Sequence, residues 1–254
     1  MKPYYERGGI VIYHGDSRAI LSELPPGGID LVLTDPPYSS GGAYRSDRNQ
    51  STATKYQISH ETLRSYGTFS GDNRDQRSFE KWCDSWMSAA INATREGGVL
   101  ACFIDWRNIA SVIDAAQVAG WVYRGIVPWY KGSDQRPNKG WFRRNVEYIV
   151  TGSCGPLETG ARSPEPCNDG ILFARVNGIE KQHQTQKPVE IFHEFIRCRS
   201  DFQSILDPFM GSGTALVAAA NLNRRAIGIE IEERYCEIAA KRLEQMVLPL
   251  EAVS

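Results

Sequence analysis

The 254-residue sequence lacks the features that place a protein in or across a membrane. It has no N-terminal segment with a charged start and an apolar run. No stretch reaches the ~18 consecutive apolar residues that suggest a membrane span. We therefore expect a soluble chain that stays in the cytoplasm and has no membrane partner.

The cysteines and histidines lack the spacing of metal ligands. None of the six cysteines lies in a C-x-x-C pair, and the four histidines show no ligand spacing either. A zinc cluster is therefore not expected, and without a secretion signal neither is a disulfide framework. The sequence predicts no metal site.

Positive charge is also not in excess, since the formal net charge is −1. Its distribution matters more than its total. Residues 121–146 hold six basic residues against one acid, with Trp, Tyr and Phe interleaved among them. This combination suits phosphates and unstacked bases. A solvated basic loop is the alternative interpretation.

Short apolar runs alternate with amphipathic helical patterns, which predicts an α/β fold with a mostly parallel sheet and helices on both faces. The predicted strands are 9–13, 29–34, 99–104, 121–129, 146–151, 204–207 and 226–231. The predicted helices are 20–24, one from Phe79 ending at Gly97-Gly98, 108–119, one from Pro188, one to about Asn223 and one to about Leu248. Ligands bind such sheets at the carboxyl ends of the strands.

Two segments interrupt this alternation. Residues 39–78 are polar, rich in Ser, Gly, Asn and Arg, and show little periodicity. Irregular segments of this length are uncommon unless they are functional, so we predict a partly ordered flap with a short helix around His60 to Tyr66. Residues 154–182 are irregular and rich in Pro and Gly. We interpret residues 1–254 as one domain with two insertions.

A glycine-rich segment, Asp207-Pro208-Phe209-Met210-Gly211-Ser212-Gly213-Thr214, follows a predicted strand and opens a helix. Its glycines let the backbone approach a ligand, and the helix N-terminus offers unpaired N–H groups. Glu230 ends the next strand, near the ~20-residue offset at which an acid reaches ribose hydroxyls. An adenosine-containing cofactor is predicted, with NAD and S-adenosylmethionine (SAM) both open. Leu216 replaces the last glycine of G-x-G-x-x-G, which weakens the dinucleotide alternative. A turn without a ligand is the structural alternative.

A second motif, Asp35-Pro36-Pro37-Tyr38, follows the apolar strand 29–34. Consecutive prolines fix φ and remove N–H donors, so the Asp35 carboxylate and the Pro36 carbonyl can be presented rigidly as acceptors. An exocyclic amine has two hydrogens to donate to such a pair. Tyr38 offers a ring on which a base can stack. A proline turn capped by Asp is the alternative. The apolar strand before the motif and the glycine-rich turn elsewhere in the sequence favour the amine site.

Together the two motifs resemble those of the SAM-dependent DNA amino-methyltransferases. Their order, D-P-P-Y before F-x-G-x-G, is similar to that of the β-group, and the resemblance covers most of the chain. It implies a Rossmann-like, circularly permuted methyltransferase fold with SAM as cofactor. The implied reaction is methyl transfer to a flipped-out base of double-stranded DNA. Asp35, as the first residue of D-P-P-Y, favours N6 of adenine as the methylated atom, and N4 of cytosine is the alternative.

The resemblance also implies roles for individual residues. Asp16 in Gly15-Asp16-Ser17 matches the residue that contacts the SAM adenine, and Glu230 would take the ribose hydroxyls. Thr185-Gln186-Lys187-Pro188 looks like the motif that holds the methionine part. Asp35, Pro36, Pro37 and Tyr38 would form the catalytic motif. The implied cofactor-binding residues are Asp16, Ser17, Asp35, Lys187, Asp207, Phe209, Gly211, Ser212, Gly213, Thr214 and Glu230.

Residues 129–131 and 142–148 resemble the segments that line the base pocket of this family. Residues 152–182 match the target-recognition region in position but are short, so the flap is expected to share its task. A homodimer would compensate for the short region. The predicted DNA contacts are Arg45, Lys131, Arg136, Lys139, Phe142, Arg143 and Arg144.

Other functions stay open at this stage. A nicotinamide-dependent oxidoreductase would use the glycine-rich motif but leave D-P-P-Y unexplained. A catalytically silent DNA-binding module and an enzyme acting on RNA or protein are further alternatives. No nuclease motif occurs in the sequence, so any restriction endonuclease would be a separate chain. The recognition sequence depends on which side chains reach base edges.

Overall fold

The computed structural model describes residues 1–39, 74–132, 140–157, 170–174 and 187–245. Several predictions fall outside these ranges and are not described. They are most of the flap with its helix around His60 to Tyr66, much of 152–182, and the residues Arg45, Arg136, Lys139, Thr185 and Gln186.

Within the described ranges, nine strands form one mixed sheet. They are β1 Tyr5–Arg7, β2 Ile10–His14, β3 Ile29–Thr34, β4 Thr94–Ile104, β5 Val122–Tyr130, β6 Val146–Ser153, β7 Leu172–Phe173, β8 Ser204–Asp207 and β9 Arg225–Glu230. Their order is β1-β2-β9-β8-β3-β4-β6-β5-β7. The central strands β2, β9, β8, β3 and β4 are parallel, whereas β1 and β6 are antiparallel to their central neighbours. The predicted mostly parallel sheet is confirmed.

The helices cover both faces of this sheet, as predicted. They are α1 Ser17–Glu23, α2 Gln76–Ala93, α3 Ile109–Val118, α4 Val189–Arg197, α5 Thr214–Asn221 and α6 Glu233–Gln245. Buried side chains of α1, α2 and α3 form one apolar cluster, and those of α4, α5 and α6 form the other. Among the helices that the structure describes, none is long and apolar enough to cross a membrane.

Strand β3 shows why a central parallel strand has an uninterrupted apolar sequence. Successive side chains of a strand point to opposite faces. Leu31 and Leu33 accordingly join the cluster under α4, α5 and α6, while Val32 joins the cluster under α1, α2 and α3. All three are fully buried, as expected for a strand covered on both faces.

The predicted end of the second helix was wrong. Helix α2 ends at Ala93, and β4 begins at Thr94 and includes Gly97 and Gly98. The pairing of β3 with β4 shifts register in this part of the strand. Gly97 adopts a φ of 74°, and a Cβ on Gly98 would lie 2.4 Å from Thr94 Cγ2. These glycines therefore allow the irregular first part of β4 and do not end a helix.

The edge strands β1 and β7 were not predicted, and α1 begins at Ser17 instead of Ile20. The side chain of Asp16 accepts a hydrogen bond from the Arg18 N–H at 2.9 Å and so caps the helix earlier. The last helix is described to Gln245, and its predicted extension to Leu248 lies beyond the described residues.

An ion-pair network closes the amino edge of the sheet, opposite the carboxyl ends of the parallel strands. Oδ2 of Asp30 accepts from the backbone N–H of Gln203 at 2.9 Å and of Ser204 at 2.7 Å. Its other oxygen accepts from Arg95 Nε at 2.6 Å, and Arg95 also pairs with Asp201. The network joins β3, β4 and the segment before β8.

Asp30→Ala is expected to lower the free energy of unfolding by about 2–4 kcal/mol, because it leaves Arg95 Nε and two backbone N–H groups without their acceptor. Urea unfolding measures this loss. Glu6→Ala, on exposed β1, is the control and should stay within about 0.5 kcal/mol of the unchanged chain. An equal stability of the Asp30→Ala variant and the unchanged chain would contradict the assigned role.

Candidate active site

The predicted site residues converge at the carboxyl edge of the sheet. Strand β2 is followed closely by Asp16, and β3 is followed directly by Asp35. Strand β8 ends at Asp207, and β9 ends at Glu230. These four strands are parallel and adjacent in the sheet, so their ends meet at one edge, where ligands bind in such folds. Strand β6 runs the other way, and its start reaches the same edge because Tyr148 lies opposite Ile104 at the end of β4.

A cluster of alternating charges lies at this edge, formed by Asp35, Lys187, Glu147 and Lys131, and hereafter called the charged cluster. Lys187 Nζ donates to both Asp35 oxygens, at 2.9 and 2.7 Å, and lies 3.4 Å from Glu147 Oε2. Lys131 Nζ donates to Glu147 Oε1 at 2.8 Å. The Tyr38 hydroxyl donates to Glu147 Oε2 at 3.2 Å. The structure thus joins D-P-P-Y to Lys187 through direct contacts.

Burial and pairing oppose each other in the charged cluster. Burial raises the pKa of Asp35, and the Lys187 ammonium only partly offsets it. Burial alone would lower the pKa of Lys187, but the carboxylates of Asp35 and Glu147 outweigh burial and raise it. Burial would raise the pKa of Glu147, but Lys187 and Lys131 outweigh it and lower it. Lys187 is therefore held as an ammonium group, balanced by two carboxylates.

The backbone of the D-P-P-Y turn is held from α3. Asn108 Nδ2 donates to the Tyr38 carbonyl at 2.7 Å. The Tyr38 ring has Lys187 Nζ 4.9 Å from its centroid. Burial raises the pKa of Tyr38 well above its ordinary value, so its hydroxyl remains a donor. Sequence reasoning missed Asn108, because no local motif connects it to a turn 70 residues earlier.

The glycine-rich turn has a fixed backbone. Gly213 caps α5 with a φ of 81°, and a Cβ there would lie 2.9 Å from Ala239 Cβ. Glu230 accepts from the Gly211 N–H at 3.0 Å and from the Glu232 N–H at 2.9 Å. Arg242 donates to the Ser212 carbonyl at 2.6 Å. The turn leaves no room for a side chain at Gly213 and is anchored directly to Glu230.

Phe209 lies on an aromatic wall supplied by α2. Its ring centroid is 5.1 Å from that of Trp82 and 5.2 Å from that of Trp86. The Arg74 guanidinium stacks over Trp82 at 4.4 Å. In the sequence, both tryptophans lie in the amphipathic pattern of the helix predicted from Phe79, and nothing local connects them to Phe209. Their contact with the glycine-rich motif is a product of the fold.

The remaining cofactor predictions differ in exposure. The side chain of Asp16 is 42% exposed and pairs with Arg18 at 2.6 Å, so it faces solvent at the edge of the site. Ser17, Ser212 and Thr214 are buried. Asp207 is also buried, and its Oδ1 accepts from Thr34 Oγ1 at 2.7 Å and from the Phe209 N–H at 3.1 Å. Asp207 therefore ties the end of β8 to the end of β3.

Asp207 should make stability depend on pH. Burial raises its pKa to about 7, above its ordinary value, so between about pH 4 and 7 the folded state binds more protons than the unfolded state. The free energy of unfolding therefore falls as the pH rises through this window, by up to about 4 kcal/mol. Asp207→Asn keeps an acceptor and removes the charge. The free energy of unfolding of this variant should therefore exceed that of the unchanged chain by an amount that grows from pH 4 to 8. Urea titrations at several pH values measure it, and an advantage that is constant with pH would refute the prediction.

An exposed aromatic and basic surface borders the charged cluster. Phe142 is 80% and Trp106 46% exposed. Arg144 and Arg107 place their guanidinium groups 4.7 and 5.0 Å from the Trp106 ring. Trp106 was not predicted, although an aromatic residue two positions after the end of β4 could have indicated a site at this edge. Of the predicted DNA contacts that the structure describes, Phe142, Arg143 and Arg144 lie on the exposed segment before β6, whereas Lys131 lies in the charged cluster.

Comparisons with known proteins show the family and the fold of this chain. The sequence profile of the DNA methylase family matches residues 29–155 and 162–241. The type II methyltransferase M2.DpnII of Streptococcus pneumoniae is 29% identical over 265 residues, which cover 96% of this chain and 92% of that protein. The structure of the M1.HpyAVI–SAM complex has a TM-score of 0.64 and 22% identity, covering 92% of this chain and 99% of that chain. The cytosine-N4-specific PvuII DNA methyltransferase has a TM-score of 0.72 and 17% identity, covering 95% and 88%.

Proposed function

This chain belongs to the N6/N4 DNA methylase family, and from that premise we propose that it transfers a methyl group from SAM to N6 of a flipped-out adenine in double-stranded DNA. The observation that carries the proposal is the position of Asp35. Its carboxylate lies 2.7 Å from Lys187 Nζ, at the sheet edge where the Gly211 turn and Glu230 also lie.

The residues present fit SAM. Glu230 ends β9 with a carboxylate that can accept from ribose hydroxyls, as in nucleotide-binding folds. The half-buried Phe209 ring, backed by Trp82 and Trp86, offers an apolar surface to the adenine. The Lys187 ammonium is a partner for the methionine carboxylate. Asp16 completes the proposed set at the exposed end of the site.

The chain's own groups would act on the target amine. SAM, when bound, would supply an electrophilic methyl group and leave as the neutral thioether, and the methylated amine would release one proton. Asp35 and the Pro36 carbonyl accept the two amine hydrogens, turn the nitrogen lone pair toward that methyl and stabilise the positive charge that develops on nitrogen. Tyr38 stacks on the extruded base, since enzymes of this class take their target out of the duplex. Orientation of this kind contributes up to about 7–11 kcal/mol of barrier reduction.

DNA recognition is proposed for the surface around Trp106. The Trp106 ring between Arg107 and Arg144 suits an unstacked base beside a phosphate. We propose that residues 39–78 and 152–182, as insertions in one catalytic domain, add base contacts. A second copy of the chain would enlarge this surface, and an endonuclease partner would be a separate chain.

N4 of cytosine is the second candidate target. The fold similarity to a cytosine-N4-specific enzyme favours it, and its exocyclic amine presents the same two hydrogens to Asp35. Asp at position 35 favours adenine because of the D-P-P-Y resemblance.

One experiment tests the proposal directly. The purified protein is incubated with unmethylated plasmid DNA and methyl-labelled SAM, and the DNA is digested to nucleosides. Labelled N6-methyl-2′-deoxyadenosine is the expected product, and labelled N4-methyl-2′-deoxycytidine would select the second candidate. Label in neither nucleoside, with SAM binding intact, would overturn methyl transfer to DNA. Sequencing the modified positions then identifies the recognition site.

Arg144→Ala is expected to weaken DNA binding by about 3–10-fold at moderate salt. It should also reduce, by about one, the slope of the logarithm of affinity against the logarithm of salt concentration. The reason is the loss of one phosphate-directed charge beside Trp106. Fluorescence anisotropy with a labelled duplex at several salt concentrations measures both effects. The matched control is Arg225→Ala, an exposed arginine at the start of β9 on the opposite edge. Equal losses in the two variants would contradict a DNA surface at Arg144.

A further inference from the structure

Glu147 is a partly buried carboxylate that neither D-P-P-Y nor the glycine-rich segment includes. It is the second residue of β6, and its side chain is 17% exposed. Its two oxygens receive three partners, namely the ammonium groups of Lys131 and Lys187 and the hydroxyl of Tyr38. A carboxylate removed from water is costly unless it is paired. Three partners from three separate chain segments show that it is built into the site.

The contacts of Asp35 limit its availability to a target amine. Both of its oxygens accept from Lys187, at 2.9 and 2.7 Å. An amine that donates to Asp35 therefore competes with the Lys187 ammonium for the same oxygens. Glu147 Oε2 lies 3.4 Å from that ammonium on its other side, so a short movement of Lys187 toward Glu147 would free Asp35.

We propose that Glu147 is a positioning residue, which holds the Lys187 ammonium as it leaves Asp35 and so makes the Asp35 carboxylate available to the target amine. The inference rests on the proposed function, because it assigns Asp35 to that amine and Lys187 to the SAM carboxylate. Lys131 and the Tyr38 hydroxyl hold Glu147 in place through hydrogen bonds to its two oxygens.

Methyl transfer then requires an ionised Asp35 and a protonated Lys187. Loss of the Asp35 charge sets the acid limit of activity, and loss of the Lys187 charge sets the alkaline limit. Besides Glu147, the titratable groups facing Asp35 are Lys187, Tyr38, Asp207 and the Cys102 thiol, with Glu230 behind Asp207. The groups facing Glu147 are Lys131, Lys187 and Tyr38. Removing one charge of the cluster shifts both limits in the same direction.

The test uses Glu147→Gln, Lys131→Met and the double variant. Glu147→Gln removes an anion, so both limits should move down by about one pH unit. Turnover at neutral pH should also fall, by about tenfold, because a neutral amide holds the Lys187 ammonium less firmly as it leaves Asp35. Lys131→Met removes a cation, so both limits should move up by a similar amount. The double variant restores the charge balance and should return the pH profile close to that of the unchanged chain.

Two readouts are compared, the pH profile of methyl transfer and the pH dependence of SAM affinity measured by calorimetry. Opposite shifts that cancel in the double variant support the inference. Reduced turnover without a shift, or a double variant worse than either single one, would show a merely structural role and overturn it. If Glu147→Gln does not fold, the upward shift of Lys131→Met decides alone.

Failure of the proposed function is distinguishable from failure of the role of Glu147. An unchanged chain that methylates no DNA overturns that proposal, whereas the calorimetric shifts still test the charged cluster. An active chain whose variants show no shifts overturns only the role of Glu147.

Discussion

Asp35→Ala is expected to lower the turnover of methyl transfer by about 10³-fold while SAM affinity stays within a few-fold. The carboxylate is the proposed acceptor for the target amine, and losses of about 10²–10³ follow removal of one preorganised group that stabilises developing charge. SAM binding persists because Lys187 retains Glu147, 3.4 Å away, as a partner. Turnover follows from single-turnover transfer of label to DNA, and affinity from calorimetry.

Asp35→Asn is the matched control, since it keeps an acceptor of the same size without the charge. Its turnover should lie between those of the unchanged chain and Asp35→Ala. Near-normal turnover of Asp35→Ala would reject the mechanism. An equal loss of turnover and SAM affinity would instead place Asp35 chiefly in cofactor binding.

Gly213→Asp is expected to reduce SAM affinity more than 100-fold, with a lower stability of the fold. Gly213 adopts a φ of 81°, and its Cβ would lie 2.9 Å from Ala239 Cβ. Any side chain there strains the turn. An aspartate also brings a negative charge to the turn that Glu230 already borders. Calorimetry with SAM and thermal unfolding measure the two effects.

Two controls separate backbone strain from charge. Gly213→Ala adds the strain alone and should reduce affinity less than Gly213→Asp. Gly27→Asp adds a side chain at a glycine with a φ of 70° and open space around it, away from the site, and should leave affinity unchanged. SAM affinity of Gly213→Asp within a few-fold of the unchanged chain would exclude the glycine-rich turn from cofactor binding.

Much of the fold could be predicted because its signals are local. The apolar run of β3, the helical spacing in α3 and the Pro188 start of α4 each lie in a few consecutive residues. The end of α2 was missed because Gly97-Gly98 resembles a helix end, whereas pairing with β3 makes that segment a strand. Strands β1 and β7 escaped prediction because they are short and depend on one neighbour each.

The sequence by itself determined the chemistry of the candidate site. D-P-P-Y and the glycine-rich segment each combine backbone restriction with particular polar groups, and both properties are written in consecutive residues. Only the tertiary structure decided which distant residues complete it. Glu147 reaches Asp35 through Lys187 because β6 runs antiparallel to β4. Trp82 supports Phe209 because α2 packs on the same face of the sheet. Such contacts follow from strand order and direction, which no short stretch of sequence specifies.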